Sequence, residues 1–263
     1  MTVSLESRSI MKIPVHRIIP FSNVEGIGNR TSIFVQGCNI NCLYCHNSET
    51  IAKSYTEAQF YTIESLKALV QNNMPFIRGI TVSGGEATLY HEALTQLFTQ
   101  IHSLGITCYI DTNGFFKRNQ ISDLIEETDK FLFDVKAIGS GLDQLCFSNF
   151  QLEHSIDEDY SQRFSHQLEH LDNLKYLLTR DKIEEVRHVY IKGFYDEKET
   201  IKTIGQILKP YPNIPLKLIR VHSRGLPIER IQKLKGTIPK ASELEALADY
   251  AREEGIKKII TIL

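Results

Sequence analysis

The sequence predicts an α/β fold whose parallel sheet is closed or partly closed into a barrel. Strand-like and helix-like segments alternate along the 263 residues, as they do where helices connect neighbouring parallel strands. The strand-like segments are short, apolar and rich in β-branched or aromatic residues, which is typical of strands buried on both faces. We expect a single domain over residues 1–263, because this length supports one full core.

Seven strands and six helices make up the predicted order of elements. The strands are bounded by glycine, asparagine or charged residues and cover residues 32–36, 79–83, 107–111, 131–135, 186–191, 216–221 and 257–262. The helices have apolar residues at a helical period and cover residues 63–71, 91–103, 120–127, 165–178, 198–208 and 241–254. Active residues of such barrels lie at the carboxyl ends of the strands, so we expect functional side chains there.

The stretch 137–165 is predicted to be an irregular surface loop. It carries Gly139, Gly141 and the acidic run 157–159. Its length leaves open the alternative of a lid that contacts a partner.

Composition excludes several classes of function. The formal net charge of -2 offers no basic field for nucleic acid. No apolar run approaches the ~20 residues that span a bilayer, and the first twenty residues lack the apolar core of a secretory signal. Five cysteines, three of them on one loop, fit a reducing compartment. We therefore expect a cytoplasmic monomer that binds neither nucleic acid nor membrane.

Three cysteines after the first predicted strand are the strongest chemical signal. Cys38, Cys42 and Cys45 form a C-x3-C-x2-C motif, and three thiolates on one loop can hold three irons of a [4Fe-4S] cluster. The fourth iron is then free to bind a small molecule. A zinc site with His46 as fourth ligand is the alternative, although adjacency to Cys45 makes shared tetrahedral coordination awkward. Cys108 and Cys146 are expected to be a buried strand thiol and a loop thiol, and not ligands.

Polar motifs end the next strands along the chain. Gly84, Gly85 and Glu86 follow the second predicted strand, where glycines let the backbone approach a ligand, although such a triplet alone is usually a turn. Further polar residues end the third and fourth strands: Asp111, Thr112, Asp134 and Lys136. Carboxylates and a hydroxyl at adjacent strand ends can form a cation site, and helix N-capping is the alternative.

These motifs together resemble the radical S-adenosylmethionine (SAM) superfamily. The string over residues 34–47, with Tyr44 before the third cysteine and His46 and Asn47 after it, is similar to that of the glycyl-radical-enzyme activating enzymes. Residues 219–225 and the stretch from 137 resemble a YjjW-like branch of that group. The resemblance covers nearly the whole chain and implies a partial (β/α)6 barrel. No further cysteine lies in residues 47–80, so the ferredoxin-like insert of many activases is not expected.

The resemblance also implies ligand roles for individual residues. Tyr44 is expected to lie against the adenine of SAM, with His46 and Asn47 in the same pocket, while capping or packing is the alternative for His46. The backbone of the glycine motif, Gly84, Gly85 and Glu86, receives the SAM amino group. Matching residues suggest a monovalent cation held by Asp111, Thr112 and Asp134, with Lys136 at the SAM carboxylate.

Two later residues and one early segment complete the implied site. Arg187 and His222 match positions around the SAM ribose and adenine; a surface salt bridge and a barrel-rim histidine are the alternatives. Residues 21–30 resemble a Gly-Pro-Gly-x-Arg stretch, in which Arg30 either fixes a turn or meets the substrate loop.

The implied activity is reductive cleavage of SAM at the cluster. The resulting radical takes a hydrogen from a glycine of a partner glycyl-radical enzyme, under anaerobic conditions and with flavodoxin or ferredoxin as electron donor. A small-molecule radical SAM enzyme of the 7-carboxy-7-deazaguanine synthase type is the alternative. An iron–sulfur electron carrier leaves the glycine motif beside an open cluster unexplained.

Overall fold

The computed structural model describes residues 11–147 and 160–263. Nine strands in this part of the chain form one sheet: β1 (Lys12–Ser22), β2 (Arg30–Val35), β3 (Gln59–Thr62), β4 (Gly79–Gly84), β5 (Thr107–Thr112), β6 (Lys130–Asp134), β7 (Ile183–Tyr190), β8 (Leu216–Arg220) and β9 (Ile259–Ile262). Their order across the sheet is β3-β1-β2-β4-β5-β6-β7-β8-β9.

Seven of these strands form the parallel part of the sheet. From β2 through β4 to β9 each pairs in parallel with the next, whereas β1 pairs antiparallel with both β2 and β3. All seven predicted strands are therefore present, with ends shifted by a few residues. The α/β class and the partial barrel are confirmed. β1 and β3 were not predicted, because Pro14, Pro20 and scattered charges interrupt the apolar pattern of β1.

Helices cover the outer face of the sheet. They are α1 (Ile63–Asn73), α2 (His91–His102), α3 (Ser122–Glu127), α4 (Gly139–Leu142), α5 (Tyr160–Thr179), α6 (Glu197–Leu208), α7 (Ile228–Lys233) and α8 (Ala241–Glu253). The larger core lies between these helices and the outward-facing strand residues, such as Ile33, Val82 and Ile110. α2 buries residues at helical spacing, including Leu94, Leu97 and Ile101, which is the periodicity that predicted it.

The stretch 137–165 is more regular than predicted. α4 is followed at once by a π-helical turn at Asp143–Phe147, and α5 already begins at Tyr160. The predicted irregular loop is therefore wrong for these two parts. The reason is that the short turns pack against the rest of the molecule, which local sequence does not report. The remainder of the predicted loop, including the acidic run, lies outside the described residues.

Arg30 fills the end of the inner face where the parallel strands begin. Its side chain is 1% exposed. Its Nε donates to Thr81 Oγ1 at 2.8 Å, and its Nη2 donates to the carbonyl oxygens of Ile80 at 2.7 Å and Thr107 at 3.1 Å. The guanidinium carbon lies 3.6 Å from the centroid of the Tyr109 ring. Arg30 therefore fixes the turn before β2, and the alternative in which it meets a substrate loop is wrong.

Within the described residues, no helix is both long and apolar enough to cross a membrane.

Candidate active site

The cysteine loop leaves β2 at its carboxyl end and is tied down on two sides. On one side, the amide of Gly37 donates to Thr50 O at 2.7 Å and that of Cys38 to Ile51 O at 3.1 Å. On the other side, Asn41 N donates to Cys146 O at 2.9 Å, in the π-helical turn. Gly37 has φ +98°, which favours glycine at this sharp exit from the strand. The loop therefore has a defined path, as a metal-binding loop requires.

A cavity of about 230 Å³ opens where β2, β4, β5, β6 and β7 end. Thirteen of the fifteen predicted site residues line it: Cys38, Cys42, Tyr44, Cys45, His46, Asn47, Gly84, Gly85, Asp111, Thr112, Asp134, Lys136 and Arg187. The two that do not are Glu86 and His222. The structure thus brings together residues that are up to about 150 positions apart in the sequence, at the edge where parallel strands place their functional groups.

The three cysteine side chains line the same cavity, and their thiols are harder to deprotonate than free cysteine. Burial raises the pKa of Cys45 to about 11 and that of Cys38 higher still. The pKa of Cys42 is also raised well above its usual value, first by the contact with the Cys146 thiol and then by burial. A metal bound at this position would displace the thiol protons and stabilise the thiolates.

The zinc alternative is not supported by the position of His46. Its ring stacks on that of His222, with centroids 3.9 Å apart, and its Nε2 lies 3.0 Å from His222 O. This nitrogen therefore donates to a carbonyl oxygen and is not free to bind a metal. His222 does not line the cavity but supports a residue that does.

The glycines of β4 are required by the packing of the chain itself. A Cβ on Gly84 would lie 2.4 Å from Val35 N, and one on Gly85 would lie 1.9 Å from Gly37 O. Both contacts are far inside van der Waals distance, so a side chain would displace the end of β2 at Gly84 and the start of the cysteine loop at Gly85. Their backbone also faces the cavity, where the predicted contact with SAM stays a prediction.

Glu86 is held within the protein and not in the cavity. Its carboxylate accepts hydrogen bonds from Thr88 Oγ1 at 2.7 Å, Thr112 Oγ1 at 2.8 Å and Asn113 N at 2.9 Å. Both carboxylate oxygens are engaged, and the side chain is 1% exposed. Glu86 therefore ties the end of β4 to Thr112, the last residue of β5, and to Asn113 in the loop that follows. Because these hydrogen bonds engage its carboxylate, the Glu86 side chain is not directed at a ligand in the cavity.

Asp111 and Arg187 form the central ion pair of the inner face. Arg187 Nη1 lies 3.0 Å from Asp111 Oδ2, which also accepts from Ser83 Oγ at 3.0 Å. Arg187 additionally pairs with Glu185, and Lys217 Nζ reaches Glu185 at 2.8 Å. Burial raises the pKa of Asp111 to about 6, although Arg187 opposes the shift.

The alternative for Arg187, a surface salt bridge, is therefore wrong, and its contact with SAM stays a prediction. The strand begins at Ile183, three residues before the predicted start, so Arg187 lies in its interior and not at its opening. Its side chain is 11% exposed and faces the cavity.

Lys136 and Asp134 form a second ion pair at the cavity wall. Burial lowers the pKa of Lys136, and the Asp134 carboxylate more than offsets this, so the pKa is raised well above its usual value. The ammonium lies 5.8 Å from the centroid of the Tyr44 ring. Lys136 therefore stays charged at neutral pH, as recognition of a carboxylate requires.

Tyr44 offers an unused hydrogen-bonding group. The ring is 3% exposed, and within the described residues its buried hydroxyl has no hydrogen-bond partner. Buried hydroxyls without a partner are costly, so a bound molecule that supplies one fits this position. Together with the ion pairs, it gives the cavity groups suited to an amphipathic ligand such as SAM.

Several lining residues were not predicted. Asn113, Ile40 and Ile51 border the cavity together with Val189 and Ile219. They carry no motif of their own, and only their position directly after or within predicted strands and the cysteine loop could have indicated them. Cys146 was expected to be a loop thiol without a ligand role; the structure places its sulfur 3.2 Å from that of Cys42.

Comparison with known proteins places these features in a family. Residues 24–144 match a family described as a 4Fe-4S single cluster domain. A Haemophilus influenzae protein assigned as a glycyl-radical enzyme activating enzyme is 47% identical over 256 residues, which cover 95% of this chain and 97% of the relative. The pyruvate formate-lyase 1-activating enzyme of Escherichia coli K12 is 28% identical over 218 residues, covering 80% and 81%.

Solved structures share the fold. QueE from Escherichia coli superposes with a TM-score of 0.53 at 14% identity, covering 95% of this chain and 94% of its own. SuiB from Streptococcus suis, solved with S-adenosylmethionine bound, superposes with a TM-score of 0.57 at 14% identity, covering 85% of this chain and 48% of its own. At these identities the likeness concerns the fold alone, which is the partial barrel of radical SAM enzymes.

Proposed function

Because this chain belongs to the family of glycyl-radical enzyme activating enzymes, we propose that it cleaves SAM reductively and generates a radical on a glycine of a partner glycyl-radical enzyme. The observation that carries the proposal is the meeting of three cysteines with the ends of five parallel strands in one cavity. An electron carrier needs no such cavity beside its cluster, whereas a SAM-cleaving enzyme does.

Cys38, Cys42 and Cys45 would hold the [4Fe-4S] cluster and leave one iron without a protein ligand. When bound, the cluster supplies the electron with which SAM is cleaved to methionine and a 5′-deoxyadenosyl radical. The surrounding residues bind and orient SAM. Their effect on rate comes from positioning and from keeping water and oxygen away from the radical.

The charged cavity residues would recognise the methionine end of SAM. Lys136 is a point charge suited to the carboxylate, and the backbone after β4, at Gly84 and Gly85, offers groups for the amino group. Asp111, Thr112 and Asp134 supply oxygens for a monovalent cation beside that carboxylate. Arg187 already contacts Asp111 Oδ2 at 3.0 Å, so a cation would bind next to the guanidinium.

The adenosine end of SAM would lie along the cysteine loop. Tyr44 provides an aromatic ring and a hydroxyl without a partner in the described residues. The orientation of the His46 ring is fixed by stacking on His222. Arg17 Nη2 donates to Asn47 Oδ1 at 2.7 Å, which fixes the amide that faces the cavity. These residues are therefore preorganised, a condition under which binding costs less entropy.

The partner's glycine would enter through the side of the barrel that the sheet does not close. β3 and β9 are the two edges of the sheet in the described chain, and no strand joins them. An extended loop can enter such a gap, and its docking would exclude water from the radical. The opening would admit such a loop, and the 47% identical relative favours the activase over the alternative, a small-molecule enzyme of the deazaguanine type.

The test uses the reconstituted protein with SAM, dithionite and a purified glycyl-radical enzyme under anaerobic conditions. We expect 5′-deoxyadenosine and a glycyl doublet in the electron paramagnetic resonance spectrum of the partner. A protein that forms no doublet with any glycyl-radical enzyme, but consumes a small pterin-like substrate in step with SAM, would be the alternative enzyme.

We further propose the setting in which the enzyme works. Three ligand thiols must stay reduced and able to bind iron, which is the condition of the cytoplasm. Flavodoxin or ferredoxin would supply the electron, and a single-domain monomer over residues 1–263 would suffice for the reaction. Reduction of the cluster by each purified donor, and light scattering of the reconstituted protein, test these points.

A further inference from the structure

The thiol of Cys146 lies against the middle cysteine of the cluster loop. The two sulfurs, which are 104 residues apart in the sequence, are 3.2 Å from one another. Cys146 is 0% exposed and Cys42 is 6% exposed. No solvent therefore competes for the contact, and the sulfur of Cys42 has a neighbour that the cysteine motif does not predict.

This neighbour is held in place by the backbone and not only by its side-chain rotamer. The amide of Leu43 donates to Leu145 O at 2.8 Å, and that of Asn41 donates to Cys146 O at 2.9 Å. These two hydrogen bonds flank Cys42 in the sequence. They join the π-helical turn Asp143–Phe147 to the cysteine loop on both sides of Cys42.

The distance of 3.2 Å between the two sulfurs does not fit Cys146 as a fourth ligand of the cluster. Thiolates on different corners of a cubic cluster point away from each other, whereas 3.2 Å is a hydrogen-bonding separation for two sulfurs. Once Cys42 binds iron it carries no proton, so the shared proton has to belong to Cys146. A cysteine thiol is a weak donor, but its partner here carries negative charge.

We propose that Cys146 is a positioning residue that donates an S–H···S hydrogen bond to the Cys42 ligand and thereby raises the reduction potential of the cluster. Hydrogen bonds to ligand sulfurs stabilise the additional negative charge of the reduced cluster. The cluster is then easier to reduce before SAM is cleaved. The inference rests on the proposed function only in taking Cys42 as an iron ligand.

The first test is a redox titration of the reconstituted protein without any partner enzyme. In Cys146→Ala we expect the ratio of reduced to oxidised cluster at a fixed potential to fall about threefold, which at 59 mV per decade corresponds to about 28 mV. Cys146→Ser retains a donor and should titrate close to wild type. Cys108→Ala is the matched control, because Cys108 is equally buried but lies on β5, where its sulfur donates to Phe98 O at 4.0 Å.

The outcomes of this titration are distinct. Equal potentials in wild type and Cys146→Ala overturn the proposal, and so does an equal shift in the Ala and Ser variants, which would mean a packing effect. Loss of iron in Cys146→Ala also overturns it, because Cys146 would then be a ligand. Iron content should match wild type in all three variants.

The second test uses the iron-free protein and diamide. Cys42 and Cys146 should form a disulfide, each thiol losing a proton while two electrons pass to diamide, which is reduced to its hydrazine form. Mass spectrometry of the native-state product should find this peptide pair before any other. A first disulfide within Cys38, Cys42 and Cys45 would contradict the geometry. Neither test requires a glycyl-radical enzyme, so failure to activate one leaves both results interpretable.

Discussion

Arg30 and Arg187, two buried arginines on the inner face of the barrel, have partners of different charge. Arg30, where the strands begin, gives its donors to hydroxyl and carbonyl oxygens, and the described chain shows no carboxylate in ion-pair contact with it. Arg187, toward the strand ends, contacts two carboxylates, those of Asp111 and Glu185. Burial lowers the pKa of Arg30, whereas for Arg187 the two carboxylates outweigh burial and raise it.

The difference separates a structural end from a functional end. Neutral partners satisfy Arg30 completely, and Gly79 leaves the room for it, since a Cβ there would lie 2.5 Å from Arg30 Nη2. A buried network whose donors all have partners favours one structure, and it leaves no donor of Arg30 for a ligand. At the other end, charged pairs border a cavity, where a ligand with its own charges can exchange partners with them. Two regions of one sheet thus carry stability and chemistry separately.

The largest expected effect is at the functional end. Cys45→Ser should remove the cluster and reduce SAM cleavage to background, because one iron loses its thiolate. The free energy of unfolding of the iron-free protein should change little, as Cys45 is partly exposed. Iron analysis, 5′-deoxyadenosine formation and urea unfolding measure these three quantities. A variant with wild-type iron content and turnover would break the assignment of the cluster.

Arg30→Met tests the structural end. It leaves the carbonyl groups of Ile80 and Thr107 without their donor, and we expect a loss of about 3 kcal/mol in the free energy of unfolding. The affinity of the reconstituted variant for SAM should stay within about twofold of wild type, a difference below 1 kcal/mol. Urea unfolding and SAM titration distinguish the two effects. A large loss of SAM affinity with unchanged stability would reverse the comparison.

Low pH should reduce the free energy of unfolding through His188, a buried residue of β7. Burial lowers its pKa to about 4, and its ring bonds Val135 O at 2.8 Å and Tyr195 Oη at 2.7 Å. The folded protein therefore binds fewer protons at this site than the unfolded chain. The stabilising contribution is complete above about pH 6.5 and is lost as the pH falls toward 4.

The size of this effect can be isolated with a variant. Between pH 7.5 and pH 5, the stability of wild type should fall by about 2 kcal/mol more than that of His188→Gln, whose side chain does not titrate. Urea unfolding of the iron-free proteins at both pH values gives the difference. Parallel pH dependence in the two proteins would show that His188 is protonated equally in the folded and unfolded states.

The smallest expected effect concerns Asp134 at the functional end. Asp134→Asn should raise the dissociation constant for SAM about tenfold, or about 1.4 kcal/mol, because a proposed cation-site oxygen loses its charge. Iron content should not change. Glu243→Gln is the matched control, since Glu243 also pairs with a lysine, Lys192, but on a remote surface. If both variants bind SAM as wild type does, Asp134 serves only as a partner for Lys136.

Sequence by itself determined the parallel strands along the chain, the cysteine motif and the polar residues at the strand ends. Each of these rests on local information: a spacing of three or four residues, an apolar run, or a polar residue where that run ends. Other lining residues, such as Tyr44 and Arg187, were predicted from the family resemblance. Because parallel strands end at one edge of a sheet, Asp111 and Asp134 could be placed together without coordinates. The same reasoning placed Lys136 beside them.

Only the tertiary structure decided which of these groups turn inward and which meet. Glu86 follows the predicted glycines but is drawn into the protein by Thr112 and Asn113, which lie 26 and 27 residues away. Cys146 meets Cys42 across 104 residues with no pattern in its own neighbourhood. Such contacts depend on the packing of the whole chain, since hydrogen bonds between distant residues form only after the segments that carry them have been positioned by burial of the core.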